Sequence, residues 1–126
     1  MRGKILIAED HPPTVSLMRG ALEAKGFSVV CAGNGAECLI LVDQEEPDPV
    51  ILDVNMPVMN GFQTLPVLRE NEKTKDLPVI ILIVRKEGAD IIKGTITGAD
   101  LYLTQPLGLE DLVVAVERVL QRGAKG

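Results

Sequence analysis

Aromatic residues are nearly absent from this 126-residue chain: tryptophan is missing, and Phe27, Phe62 and Tyr102 make up the 2% aromatic content. The core must therefore be aliphatic, and 40 Ile, Leu and Val residues are there to build it. Cysteine is also scarce. Cys31 and Cys38 lie seven positions apart, outside any CxxC or Cys/His spacing that binds zinc or exchanges disulfides, and read as reduced structural thiols. Basic residues are outnumbered 13 to 18, giving a net charge of −5, the wrong sign for neutralising nucleic-acid phosphates or anionic lipid. Long apolar runs are missing too. The longest, Val79 to Val84, is far too short to span a bilayer. Ile5 to Ala8 is shorter than a secretory apolar region and runs straight into Glu9 and Asp10, so a signal peptide is not expected and the cytoplasm is the default location. With 46% hydrophobic and 25% charged residues, the composition is that of a soluble globular protein.

The length fits one domain, read as residues 1–122 with 123–126 as a tail or the start of a linker. Short β-branched runs alternate regularly with segments of helical period. Lys4 to Ala8, Ser28 to Ala32, Val50 to Asp53, Val79 to Val84 and Leu101 to Thr104 read as five strands. The first, third and fourth are apolar at successive positions, as strands covered on both faces are. Val15, Met18 and Leu22 repeat at helical spacing, as do Leu109, Leu112, Val113, Val116, Val119 and Leu120, predicting helices near 14–24 and 109–121. Ala36 to Val42 and Gln63 to Glu70 supply two more. The segment 88–97 holds Gly88, Gly94 and β-branched Ile91, Ile92, Thr95, Ile96 and Thr97, poor helix formers that predict a short or frayed helix. The expected architecture is α/β: a (βα)5 doubly wound parallel sheet of five strands with helices on both faces.

Ligands of such sheets bind at the carboxyl ends of the strands. Glu9 and Asp10 directly follow the first strand and Asp53 ends the third, so carboxylates 43 residues apart in sequence converge on one edge. Singly, each reads equally well as a helix cap or a solvated loop residue; Asp10, before Pro12, is the clearest cap candidate. Together their repulsion raises proton affinity unless a cation neutralises them. Mg²⁺ suits such a site, and a carboxylate beside it can attack phosphorus to form an aspartyl-phosphate.

These residues bring the chain to a resemblance. Glu9-Asp10, the loop Asp53-Val54-Asn55-Met56-Pro57-Val58-Met59-Asn60-Gly61, Gly98-Ala99-Asp100, Tyr102 and Pro106 stand as they do in the receiver domain of two-component response regulators, which the chain resembles from about Lys4 to Leu120. The resemblance implies the flavodoxin-like strand order 2-1-3-4-5, for which a receiver is a standard example. It implies Asp53 as phosphoacceptor. Glu9, Asp10, Asp53 and the backbone carbonyl of Asn55 would be ligands of Mg²⁺ or Mn²⁺, with Pro57 and Gly61 shaping the loop. The implied partners are a sensor histidine kinase or histidine phosphotransfer domain as donor, and an effector domain or partner protein on the face of the fourth helix, fifth strand and fifth helix. The chain would be the kinase's phosphoacceptor substrate and not an enzyme, beyond self-catalysed phosphoryl transfer and hydrolysis. Met56 and Met59 read as loop packing, and His11 as a surface residue beside Pro12.

Two departures weaken the implied switch. Ile83 stands where the family carries Thr or Ser, and Gln105 where it carries Lys before Pro106. A hydrogen bond to a charged group is worth about 1.5–3 kcal/mol, comparable with a whole allosteric coupling of about 1–3 kcal/mol. Val84, where a small residue is usual, narrows the approach to Asp53, and Leu107 replaces a common Phe. Two functions thus remain: a phosphoryl-accepting signalling module with weakened switching, and a phosphorylation-independent pseudo-receiver acting as a constitutive interaction domain. A nucleotide or flavin enzyme is disfavoured because neither GxxxxGK[ST] nor GxGxxG follows a strand. A D-x-D phosphatase is disfavoured by Asn55 two positions after Asp53. Apolar Leu101, Ile91 and Ile92 suggest a homodimer contact, while direct nucleic-acid and membrane contacts are not expected.

Overall fold

A computed structural model describes residues 3–84, 98–105 and 108–125. The elements run β1 (Lys4–Ala8), α1 (Pro12–Ala24), β2 (Ser28–Ala32), α2 (Gly35–Glu45), β3 (Val50–Asp53), α3 (Gly61–Glu70), β4 (Val79–Val84), β5 (Leu101–Gln105) and α4 (Leu109–Lys125). All strand pairs are parallel, in the order β2-β1-β3-β4-β5. The expected flavodoxin-like order is therefore present. The order reverses between β1 and β3, which is where the acidic residues stand.

Each central strand packs on both sides because its successive side chains point to opposite faces. Ile5, Ile7, Ile51, Ile80 and Leu82 meet Met18 and Leu22 of α1 and Leu112, Val116 and Val119 of α4. Their neighbours Leu6, Ala8, Leu52, Ile81 and Ile83 meet Cys38 and Val42 of α2 and Leu65 and Leu68 of α3. Each of the larger side chains contributes about 1.5–3 kcal/mol of burial free energy. Cys31 belongs to the first layer and Cys38 to the second, so the sheet separates them and both are free thiols. Burial pushes the Cys38 thiol up to about 12, which keeps it protonated and unreactive.

Helix ends follow local chemistry more closely than apolar spacing indicates. α1 starts at Pro12, two positions before the expected start, because a proline in the first turn loses no hydrogen bond. Asn34 caps α2 by accepting from the Glu37 N–H at 2.8 Å. α3 begins at Gly61, not Gln63: Asn60 and Gln63 form a reciprocal capping box, with both bonds at 2.9 Å. α4 runs to Lys125, beyond the expected end at 121, through residues that are mostly good helix formers. The expected helix within 88–97, with Ile91 and Ile92, lies outside the described residues, as do Pro106 and Leu107 and the side chains of Val84 and Gln105. Leu101 packs half-buried against the α1/α4 core. Among the described residues, no helix is long and apolar enough to cross a membrane.

Candidate acidic phosphoacceptor site

Asp53 is the last residue of β3, and Glu9 and Asp10 follow the last residue of the adjacent β1. The Glu9 N–H donates to the Ala32 carbonyl at 3.0 Å, which continues the strand pairing one step past β1 and fixes where the acidic pair leaves the sheet. One carboxylate oxygen from each of Glu9, Asp10 and Asp53 lies within 4.8 Å of the others. Glu9 is 5% and Asp53 4% exposed, while Asp10 faces solvent.

Backbone amides orient two of the acids. Glu9 Oε2 accepts from the Asp10 N–H at 3.0 Å and the His11 N–H at 3.3 Å, tying its carboxylate to the turn into α1. Asp53 Oδ1 accepts from the Asn55 N–H at 3.3 Å. That single amide does not offset the surroundings. Burial first, then the hydrogen bond and charge of Glu9, push the Asp53 carboxyl up to about 8, with Asp10 adding to the rise. At neutral pH this favours the protonated form of Asp53. A dense set of hard oxygen donors, two of them buried, fits a divalent cation such as Mg²⁺.

The loop after Asp53 is tightly held. A Cβ on Gly61 would lie 2.7 Å from the Asp53 carbonyl oxygen and 2.9 Å from Val54 Cα, so only glycine lets α3 start this close to the end of β3. A Cβ on Gly35 would collide with the Thr64 hydroxyl, and the Gly35 N–H donates to the Met59 carbonyl at 2.8 Å, joining the loop to the start of α2. Between these anchors the Met59 N–H donates back to the Pro57 carbonyl at 2.6 Å around Val58, whose φ is +66°. This is a tight γ-turn centred on a β-branched residue, a strained arrangement, and Val58 is 82% exposed.

The remaining singled-out residues divide by position. Ile83 is fully buried in the same apolar layer as Leu52 and Val54, with Met56 and half-buried Tyr102 packed against that layer. It brings no donor toward Asp53. Gln105 pairs with Val84 at the end of β5. His11 is exposed, and its Nδ1 sits 2.6 Å from the Thr14 hydroxyl. The apolar reading of sequence missed Asn60, although its Asn-x-x-Gln spacing is a capping signal. It also missed Arg69, whose partners are mostly backbone carbonyls and leave no sequence trace.

Comparison with known proteins agrees with this geometry. Residues 5–117 match the profile of the response regulator receiver domain. The chain is 37% identical over 117 residues to Protein PilH of Pseudomonas aeruginosa, covering 93% of this chain and 97% of PilH. It is 34% identical over 119 residues to the transcriptional regulatory protein PrrA of Mycobacterium tuberculosis, covering 94% of this chain but 50% of PrrA. Its fold superimposes with a TM-score of 0.87 and 31% identity on the receiver domain of a signal transduction histidine kinase from Syntrophus aciditrophicus, covering 94% of this chain and 90% of that one.

Proposed function

Because this chain belongs to the response regulator receiver domain family, we propose that it is a signalling module whose Asp53 takes a phosphoryl group from a phosphohistidine on a sensor kinase or phosphotransfer domain. The observation that carries this reading is the convergence of Glu9, Asp10 and Asp53 within 4.8 Å at the switch in strand order. Glu9, Asp10, Asp53 and the Asn55 carbonyl would hold Mg²⁺ or Mn²⁺, which when bound supplies positive charge for the acids and the phosphoryl oxygens. An ionised Asp53 oxygen attacks phosphorus as the N–P bond of the donor breaks, and the leaving imidazole keeps the electron pair. Glu9, pinned by the Asp10 and His11 amides, keeps its carboxylate beside Asp53 as Asp53 ionises. This reading implies residence in the cytoplasm, where Cys31 and Cys38 remain reduced.

One observation favours a second reading. Ile83 is fully buried among aliphatic side chains, so no hydroxyl at that position answers a phosphoryl group on Asp53. Readout is then weak, and at the limit the chain is a pseudo-receiver that binds partners regardless of phosphorylation. Intact mass after incubation with Mg²⁺ and acetyl phosphate separates capture from its absence. One added phosphoryl group, missing in Asp53→Asn and without the metal, is the expected result. No added group on folded protein would leave the pseudo-receiver reading.

A further inference from the structure

α2 and α3 lie side by side on one face of the sheet, and between their C-terminal halves is an open groove of about 240 Å³. Leu39, Val42 and Asp43 fall at helical spacings of three and four on one stripe of α2, and Glu46, the left-handed residue that ends the helix, completes the first wall. Val67, Leu68 and the connection to Leu77 form the other. From 39 to the end of α2 at 45 this wall is about 9 Å long at 1.5 Å per residue, a little under two turns of a helix lying alongside it. Apolar surface continues outside the groove. Ile40 is 57% and Val67 40% exposed.

The charges around it are unengaged and unevenly placed. Asp43 and Glu46 line the α2 wall and Lys73 the opposite one, and none of the three side chains makes an ion pair or hydrogen bond among the described residues. Neighbouring acids are used differently: Glu45 pairs with Lys4 at 2.9 Å and Glu72 with Lys75 at 3.1 Å. The groove is smaller than the roughly 300–1,000 Å³ of a typical small-molecule site, and it is open along its length. Its shape suits side chains inserted from a helix resting on the surface.

We propose that the α2–α3 groove is a docking site for an amphipathic helix of a partner protein. That helix carries aliphatic side chains one turn apart, a Lys or Arg edge toward Asp43 and Glu46, and an acidic edge toward Lys73. The groove lies at the end of α2 and α3 away from Asp53, because both helices run back from the carboxyl edge of the sheet. Docking is therefore independent of the state of Asp53 and goes beyond the phosphoacceptor reading without resting on it.

The test is an amide NMR titration of the full chain with a synthetic peptide of about five helical turns. The peptide has Leu at positions i, i+3, i+4 and i+7, flanked by Lys along one edge and Glu along the other. Saturable shifts confined to 39–47 and 67–77 are expected. A peptide with the two charged edges exchanged should bind the unaltered protein about tenfold more weakly, and Asp43→Lys with Glu46→Lys should weaken the first peptide by a similar factor. Asp53→Asn should leave the affinity unchanged. The proposal is overturned if saturable shifts are absent, if they centre on the groove between α1 and α4 lined by Ala21, Val113 and Val114, or if exchanging the edges makes no difference. Because the edge-exchanged peptide meets unaltered protein, misfolding of a variant cannot imitate the expected result.

Discussion

At the edge where β4 and β5 begin, Arg69 donates to the carbonyls of Gly98, Thr74, Lys75 and Leu77 and to Asp100 Oδ2 at distances of 2.6–3.2 Å. The same Asp100 oxygen accepts from the Val79 N–H at 2.8 Å. At the opposite edge, where β1 and β3 end, Glu9, Asp10 and Asp53 crowd together with two backbone amides on Glu9, one on Asp53 and, among the described residues, no basic side chain bonded to them. Charge is balanced from within at the first edge, while at the second the acids have only backbone amides as partners among the described residues. Arg69 ties α3 to the start of β5 without a ligand, whereas the acidic edge is a set of carboxylates that could hold a metal ion.

The largest effect is expected from breaking the satisfied edge. Arg69→Ala removes a guanidinium that is 21% exposed, together with the bonds that hold four carbonyls and Asp100. Urea denaturation should show a loss of about 3 kcal/mol. Arg69→Lys should recover little, since a point charge cannot reach the same planar fan of acceptors. An unchanged midpoint for Arg69→Ala would show that the first edge is no more secured than the second.

Completing the acidic edge should stabilise the fold by mass action. Mg²⁺ at about one hundred times its dissociation constant adds about 2.7 kcal/mol if it binds only the folded chain. The shift in melting temperature should be lost in Asp53→Asn and unchanged in Arg69→Lys relative to that variant's own baseline. An equal Mg²⁺ response with and without Asp53 would break the assignment of the cation to this edge.

Proton binding sharpens the same contrast. The Asp53 carboxyl is raised to about 8 when folded, from 3.8 as a free side chain, mainly by burial and by Glu9. Between these values the folded chain holds a proton that the unfolded chain has released. Stability of metal-free protein should therefore be full below about pH 4 and decline as pH rises toward about 8, with a slope of at most about 1.4 kcal/mol per pH unit from this one group. Asp53→Asn should flatten the decline, and saturating Mg²⁺ should reverse it. A metal-free protein whose stability rises from pH 5 to 8 to the same extent as Asp53→Asn would contradict the raised Asp53 carboxyl.

The architecture was legible in sequence because runs such as Ile5-Leu6-Ile7 and Val79 to Val84 are apolar at every position, which only strands covered on both faces require. The acidic cluster was legible because Glu9, Asp10 and Asp53 sit at strand ends, and parallel topology brings strand ends together. Arg69 was not legible: four of its acceptors are backbone carbonyls, which any residue provides, and folding alone gathers them. The start of α3 was hidden by the apolar count but written in Asn60 and Gln63. The groove between α2 and α3 depends on how two helices splay, a tertiary distance that no single stripe of residues encodes.

Among the described residues, Val58 is a position where local preference and tertiary structure disagree sharply. Valine is a poor occupant of φ +66°, yet the turn is enforced on one side by Asp53 at the end of β3 and on the other by the Gly35 bond to Met59 and the capping box at Asn60. Such strain costs about 1–3 kcal/mol. Glycine adopts the conformation freely but loses about 0.5–1 kcal/mol more entropy on folding, and an 82% exposed valine gives up little burial when removed. Val58→Gly should therefore raise stability by about 1 kcal/mol, measured by urea denaturation in the presence of a chelator. The strain belongs to the acidic edge. If relieving it also slows phosphoryl capture from acetyl phosphate, the strained turn holds Asp53 in its reactive position; if capture is unchanged, the surrounding anchors alone fix the loop, and valine is there for the surface it exposes.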